Sequence, residues 1–327
     1  MPQTPKQTTQ WPRIAVFGAG AVGCYFGARL AEAGAPVTLI GRPAHVQAIR
    51  ANGLLFESGG AQRAIAVAAD TDPAAVADAQ IVLLCVKTLD TEAAARELAP
   101  RLAPAATLVS LQNGVDNVER VRAAAGIDAL AAVVYVGASM PAPGHLRHAG
   151  RGELVLGEYP IGDAAPAAAP AASTRAERLA QVFSRAAISC TVSADIRVPL
   201  WTKLVMNCAF NAASALTRAQ YGRLVDDAAI RALMRDVIDE CVAVAAADGV
   251  ALDGADALHA DALALGRAMA SATSSTSQDI ERGRATEIDS LNGYVARRGR
   301  ARDVRTPVNS ALHALVRLRE RSGAAIS

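Results

Sequence analysis

Arg13-Ile14-Ala15-Val16-Phe17-Gly18-Ala19-Gly20-Ala21-Val22-Gly23 is the stretch on which the fold turns. A short apolar run of this kind is what a strand buried on both faces of a parallel sheet requires. The Gly-x-Gly-x-x-Gly turn follows at once. Helical spacing then continues through Tyr25, Phe26, Leu30 and Ala31 until Gly34 supplies a stop. A second apolar run at 36–40 arrives where a strand–helix–strand unit needs it. In that setting the glycines have separate tasks. Gly18 makes the tight turn, Gly20 lets backbone approach a pyrophosphate, and Gly23 lets helix pack on strand. Phosphate charge rests on the helix N-terminus, so Ala19, Ala21 and Val22 belong to the same cradle. The expected fold class is α/β, with an N-terminal Rossmann-type dinucleotide-binding domain.

The second strand ends in Ile40-Gly41-Arg42, where an NAD enzyme carries an acidic residue for the ribose hydroxyls. Arginine there is either a solvated surface group or a forked grip on a 2′-phosphate. The second reading makes the cofactor NADP(H). Two further apolar runs, 81–86 and 107–111, end in Lys87 and in Gln112-Asn113-Gly114. Ligands of open α/β sheets bind beyond the carboxyl ends of the strands, which puts Lys87 and Asn113 where a nicotinamide or its substrate would lie. Between these runs the pattern gives a helix at 43–51 and strands at 54–56 and 65–68 around the Gly59-Gly60 turn. Strands are expected at 131–136 and 153–156, with His145 and His148 as loop residues on their connection. An Ala/Pro-rich low-complexity loop (162–173), a helix (174–186) and a strand (188–192) complete a domain of residues 13–195, after a polar tail at 1–12.

From Pro199 onward strand patterns cease, and residues 196–327 read as an all-α domain with helices at 226–248, 256–270 and 278–298. A last helix is capped at Thr306-Pro307 and runs to 319. The first helix of this half, 198–217, places Lys203, Asn207, Asn211 and Ser214 in one row among Leu204, Val205, Met206, Cys208, Ala209 and Phe210. An ordinary surface helix has the narrow stripe apolar; here it is polar. Burying an amide without a partner costs about 2–7 kcal/mol, so the row either bonds neighbouring backbone while the lysine snorkels, or faces something polar. The hydroxyl run Ser271 to Ser277 is either a helix cap or an anion site, with Ser275 in it. Glu287 falls on an apolar stripe with Ile280 and Leu291, and it either pairs with Arg284 one turn back or faces a pocket.

With 327 residues, 52% of them hydrophobic and 20% charged, the chain is a globular protein long enough for two cores. A net charge of +2 gives no ground for nucleic acid or an anionic membrane as partner, and no apolar run reaches transmembrane length. The N-terminal tail lacks the apolar core of a signal peptide. Cys24, Cys85, Cys190, Cys208 and Cys241 are scattered, with no Cys-x-x-Cys pair, so free thiols in a reducing cytoplasm are expected and no metal.

Taken together the motifs resemble the ketopantoate reductase (2-dehydropantoate 2-reductase) family over nearly the whole chain. The matching pieces are Gly18 to Gly23, Val86-Lys87-Thr88, Gln112-Asn113-Gly114, Lys203 to Asn211, and Ser274 through Glu287-Ile288-Asp289-Ser290-Leu291-Asn292-Gly293. The resemblance implies NADPH-dependent reduction of 2-dehydropantoate to pantoate on the route to coenzyme A. It implies a catalytic Lys203 and a functional Glu287, with Asn113, Asn207, Asn211 and Ser275 on a small 2-oxo acid substrate. Lys87 would lie near the nicotinamide and Arg42 on the 2′-phosphate. Reductases of other 2-oxo acids or imines share the pattern, and a non-catalytic NADPH-sensing regulator is the alternative from another class. A homodimer is compatible with the chain.

Overall fold

The computed structural model describes residues 10–160 and 174–324, so the Ala/Pro-rich loop and most of the polar tail lie outside the described residues. The chain divides into two compact units, Met1–Gln112 with Asn117–Ile196, and Asn113–Asp116 with Arg197–Ser327.

The first unit is α/β. In chain order it contains β1 (Ile14–Phe17), α1 (Ala21–Glu32), β2 (Val37–Ile40), α2 (Pro43–Asn52), β3 (Leu54–Ser58), β4 (Ala61–Ile65) and β5 (Ala68–Asp70). Then come β6 (Ile81–Leu84), α3 (Thr91–Leu98), β7 (Thr107–Ser110), α4 (Asn117–Ala125), β8 (Leu130–Ala142), β9 (His145–Glu158), α5 (Thr174–Arg185) and β10 (Cys190–Val192). Among the described residues these strands form one mixed sheet in the order β4-β3-β9-β8-β7-β6-β1-β2-β5, with β10 also on β9. β1, β2, β6 and β7 are parallel, and their register aligns Phe17, Ile40, Leu84 and Ser110. Gly18, Gly41, Cys85 and Leu111 therefore leave the sheet along one edge.

The sheet curls around α1, which touches β1, β2, β3, β4, β8 and β9. That explains a helix buried almost continuously from Gly23 to Ala28. Phe26 lies edge-on to Tyr25 and Phe183, and Gly27 admits Leu39 where a Cβ would lie 2.5 Å from its methyl. Arg63 on β4 closes the curl by pairing with Glu32 at 2.6 Å and lying over the Phe56 ring.

Two expectations for this unit need correction. The run at 65–68 is not one strand: β4 ends at Ile65, and β5 starts at Ala68 beside β2. His145 and His148 are not loop residues but belong to β9. The β8–β9 ribbon turns at Gly144, and its register shifts at three places, which hides the period-two alternation.

The second unit is helical: α6 (Arg197–Thr217), α7 (Tyr221–Asp226), α8 (Ala228–Ala247), α9 (Ala255–Ala268), α10 (Ser275–Glu281), α11 (Asn292–Ala301) and α12 (Pro307–Ala324). α6 packs against α7, α8, α9, α10 and α12, which is why its apolar surface is so wide. Asp227 caps α8 by accepting from the amides of Ala229 and Ile230. The expected continuous helix at 278–298 is broken. Gly283 takes φ +60°, its N–H bonds Ile280 O, and the Arg284 N–H reaches Asp279 O. This is a Schellman stop, in which the left-handed glycine satisfies the last carbonyls of α10.

Candidate active site

The glycine turn is shaped by what surrounds it. Gly18 has φ +106°, and a Cβ there would lie 2.6 Å from Val86 N at the end of β6. A Cβ on Gly23 would run into Gly18 O and Val16. One on Gly20 would meet nothing within 4 Å. So two of the glycines are required by the fold, and the third leaves open space in front of the α1 N-terminus. That is the cradle a pyrophosphate needs, and the residues fit a bound dinucleotide. The N–H groups of Gly18 and Ala19 both donate to Ile40 O, and Gly41 packs on the Ala19 methyl. These contacts bring Arg42, exposed at the N-cap of α2, to the same edge as the turn. Lys87 is half-buried just beyond β6.

Beyond β7 a buried polar set holds the chain. Gln112 donates to Thr91 Oγ1 at 2.7 Å and accepts from Ser110 Oγ at 3.0 Å, while Thr91 Oγ1 lies 3.1 Å from Asn117 Oδ1. The sequence reading overlooked Ser110, Thr91 and Asn117; Gln112 beside Asn113 was the available signal.

In the second unit, Asn113 joins the two residues expected to do chemistry. Lys203 Nζ donates to Asn113 Oδ1 at 2.8 Å, and Asn113 Nδ2 donates to Glu287 Oε2 at 3.2 Å. An ammonium cannot accept and a carboxylate cannot donate, so this amide has one consistent orientation. All three side chains are half-buried.

Farther along the α6 row, Asn207 is half-buried and Asn211 is buried. Asn211 O accepts from Ser274 Oγ, and Ser214 Oγ accepts from Ser274 N. Ser274 also caps α10 through Ser277 N at 3.0 Å, so the hydroxyl run does serve as a cap. The neighbouring Ser275 is exposed at the start of that helix.

Glu287 sits on an irregular segment clamped by α12. Thr286 N donates to Glu320 Oε1 at 2.8 Å, Ile288 N donates to Thr286 Oγ1, and Asp289 meets His313 Nε2 at 2.6 Å. Nothing local in the sequence announces these clamps.

Residues 14–160 match the family Ketopantoate reductase PanE/ApbA, and residues 195–320 match Ketopantoate reductase PanE/ApbA C terminal. The chain belongs to the ketopantoate reductase family. A 2-dehydropantoate 2-reductase of Halobacterium salinarum is 35% identical over 95% of this chain and 100% of its own length. A crystal structure of a PanE/ApbA family ketopantoate reductase from Ralstonia eutropha superposes with a TM-score of 0.87. It is 44% identical and covers 95% of this chain and 99% of that one. The ternary structure of D-mandelate dehydrogenase with NADH and anilino(oxo)acetate shares the fold, at 23% identity and a TM-score of 0.84, over 95% and 99% of the two chains. As a member of the ketopantoate reductase family, this protein is a dinucleotide-dependent oxidoreductase acting on a keto group. No helix among the described residues is long and apolar enough to cross a membrane.

Proposed function

We propose that this reductase converts 2-dehydropantoate to pantoate, a step toward coenzyme A, using NADPH and taking the proton from Lys203. The observation that carries the reading is the hydrogen-bonded line Lys203–Asn113–Glu287. The reduced dinucleotide, when bound, supplies the hydride. Charge that develops on the ketone oxygen is then stabilised by a positioned ammonium, which also delivers the proton. A lysine ammonium is protonated beforehand at neutral pH. Asn113 fixes its direction through Oδ1 and, through Nδ2, ties it to the compensating carboxylate of Glu287. Asn207, Asn211 and Ser275 are assigned to the substrate, with the Ser275 hydroxyl on its carboxylate. Gly18, Ala19, Gly20, Ala21, Val22 and Gly23 are assigned to the pyrophosphate, Lys87 and Asn113 to the nicotinamide end, and Arg42 to the 2′-phosphate.

The test is consumption of NADPH, beside NADH, with 2-dehydropantoate and a panel of simpler and aromatic 2-oxo acids. The expected outcome is a preference for NADPH and 2-dehydropantoate. Faster turnover of another 2-oxo acid would replace the substrate and keep the chemistry. Lys203→Ala should lose at least a hundredfold in turnover with dinucleotide binding intact. Unchanged turnover in that variant removes the lysine from the mechanism.

A further inference from the structure

His45 lies in the first turn of α2, three residues after Arg42, and its ring makes contacts on two sides. Gly144 N, at the β8–β9 turn, donates to Nδ1 at 2.8 Å. An amide N–H can only donate, so Nδ1 carries no proton and the neutral ring holds its proton on Nε2. Nε2 is 3.2 Å from Cys24 Sγ on α1. Cys24 Sγ in turn lies 3.4 Å from Ala19 O, to which its S–H donates. The donors and acceptors run in one direction, from the Gly144 N–H through the imidazole and the thiol to the Ala19 carbonyl. Ala19 is held on its other sides as well, its N–H by Ile40 O and its methyl by Gly41.

We infer that His45 is a positioning residue for the glycine turn: as the Nε2–H tautomer it aims the Cys24 thiol proton at Ala19 O and so holds the turn ready for the dinucleotide. The inference rests on the dinucleotide reading of that turn. Two properties of the groups agree with it. Burial pushes the Cys24 thiol up to about 12, which keeps it an S–H donor. Burial, with the Arg42 charge nearby, holds His45 below the ordinary histidine value and so neutral. A turn already in its bound shape spends less of the binding energy on ordering itself. Loss of the chain should therefore appear in the KM for the dinucleotide and not in kcat.

The closing experiment has two arms. Nitrogen-15 histidine spectra of the wild-type chain near neutral pH, with His45 assigned by its absence from His45→Gln, should show the neutral Nε2–H ring. An Nδ1–H or cationic ring overturns the inference, whether or not any dinucleotide binds. In the kinetic arm, glutamine keeps an N–H where Nε2–H stood, whereas asparagine keeps only an acceptor where Nδ1 stood. His45→Gln should keep the dinucleotide KM within about threefold of wild type, while His45→Asn and His45→Ala raise it about tenfold, the value of one modest hydrogen bond. All three should retain kcat within about twofold at saturation. Equal KM values for the glutamine and asparagine variants, or a fall in kcat alone, overturn it. Failure of the wild-type chain to bind NADPH or NADH would refute the dinucleotide reading instead, and the spectra would still decide the hydrogen-bond chain.

Discussion

Replacing Asn113 by leucine keeps the volume of the side chain and removes its hydrogen bonds to Lys203 and Glu287. Lys203 Nζ loses an acceptor at 2.8 Å and Glu287 loses a donor at 3.2 Å. Hydrogen bonds to charged groups contribute about 1.5–3 kcal/mol each. The three side chains are half-buried, so water recovers part of the loss. Taking about 1.5 kcal/mol for the shorter bond and about 1 for the longer gives about 2.5 kcal/mol, or roughly a seventyfold fall in rate. Asn113→Asp separates the two bonds. One oxygen still accepts from Nζ, while the other meets Glu287 as a like charge, and two carboxylates at that separation share one proton. Taking up that proton restores an O–H donor in place of Nδ2. Activity of the aspartate variant should therefore rise as pH falls, and the leucine variant should show no such rise. Initial rates of reduced-dinucleotide consumption against pH, at saturating substrates and with folding checked by circular dichroism, measure both. A leucine variant within twofold of wild type refutes the argument, as does a shared flat pH profile.

Arg42→Ala should shrink the preference for NADPH over NADH by about tenfold to a hundredfold, the worth of a charge-assisted pair to phosphate; an unchanged ratio of kcat/KM values rejects that role. Gly23→Ala drives a methyl group into Gly18 O and Val16, an overpacking worth about 2 kcal/mol, and should lower the melting temperature by several degrees. A melting curve superimposable on wild type would contradict the packing. The Glu92–Arg120 pair, bonded at 2.7 and 2.8 Å, joins α3 to α4, and hydrogen bonding from Arg120 holds the Glu92 carboxyl below its usual value. A depressed carboxylate stabilises the fold above its unfolded value of about 4.3, and that stability is lost as pH falls through the folded value. Glu92 is partly exposed, so the contribution is below about 1 kcal/mol. Urea unfolding of Arg120→Gln should show a shallower acid loss than wild type, and identical pH dependence would remove the pair from the account.

What the sequence disclosed depends on how far each cause reaches along the chain. The turn at Gly18 to Gly23 was legible because strand, glycines and helix are consecutive. The Lys203 row was legible because helical spacing alone generates it. Its partners were another matter: Asn113 stands 90 residues from Lys203 and 174 from Glu287, and only the fold brings them together. The placement of His145 and His148 failed for a related reason. Their strand pairs across a ribbon with shifted registers, where His145 reaches Glu57 and His148 reaches Ser58 on β3.

The helix expected across 278–298 shows most clearly how a local rule gives way. Apolar spacing carried the pattern through Gly283, yet the structure stops α10 there and leaves Glu287 at φ −96°, ψ 19°, outside any helix. On a continuous helix Glu287 would have faced Arg284 one turn back. On the broken segment the backbone on either side of it is held, the Ile288 N–H by Thr286 Oγ1 and the Thr286 N–H by Glu320, with the Asp289–His313 contact beyond, while its carboxylate turns to Asn113. The feature that defeats the periodicity is thus the one that presents the carboxylate to the lysine's own partner. The residue stranded on an apolar stripe meets a partner 174 residues away in the chain, as happens where local helical preference yields to a tertiary contact.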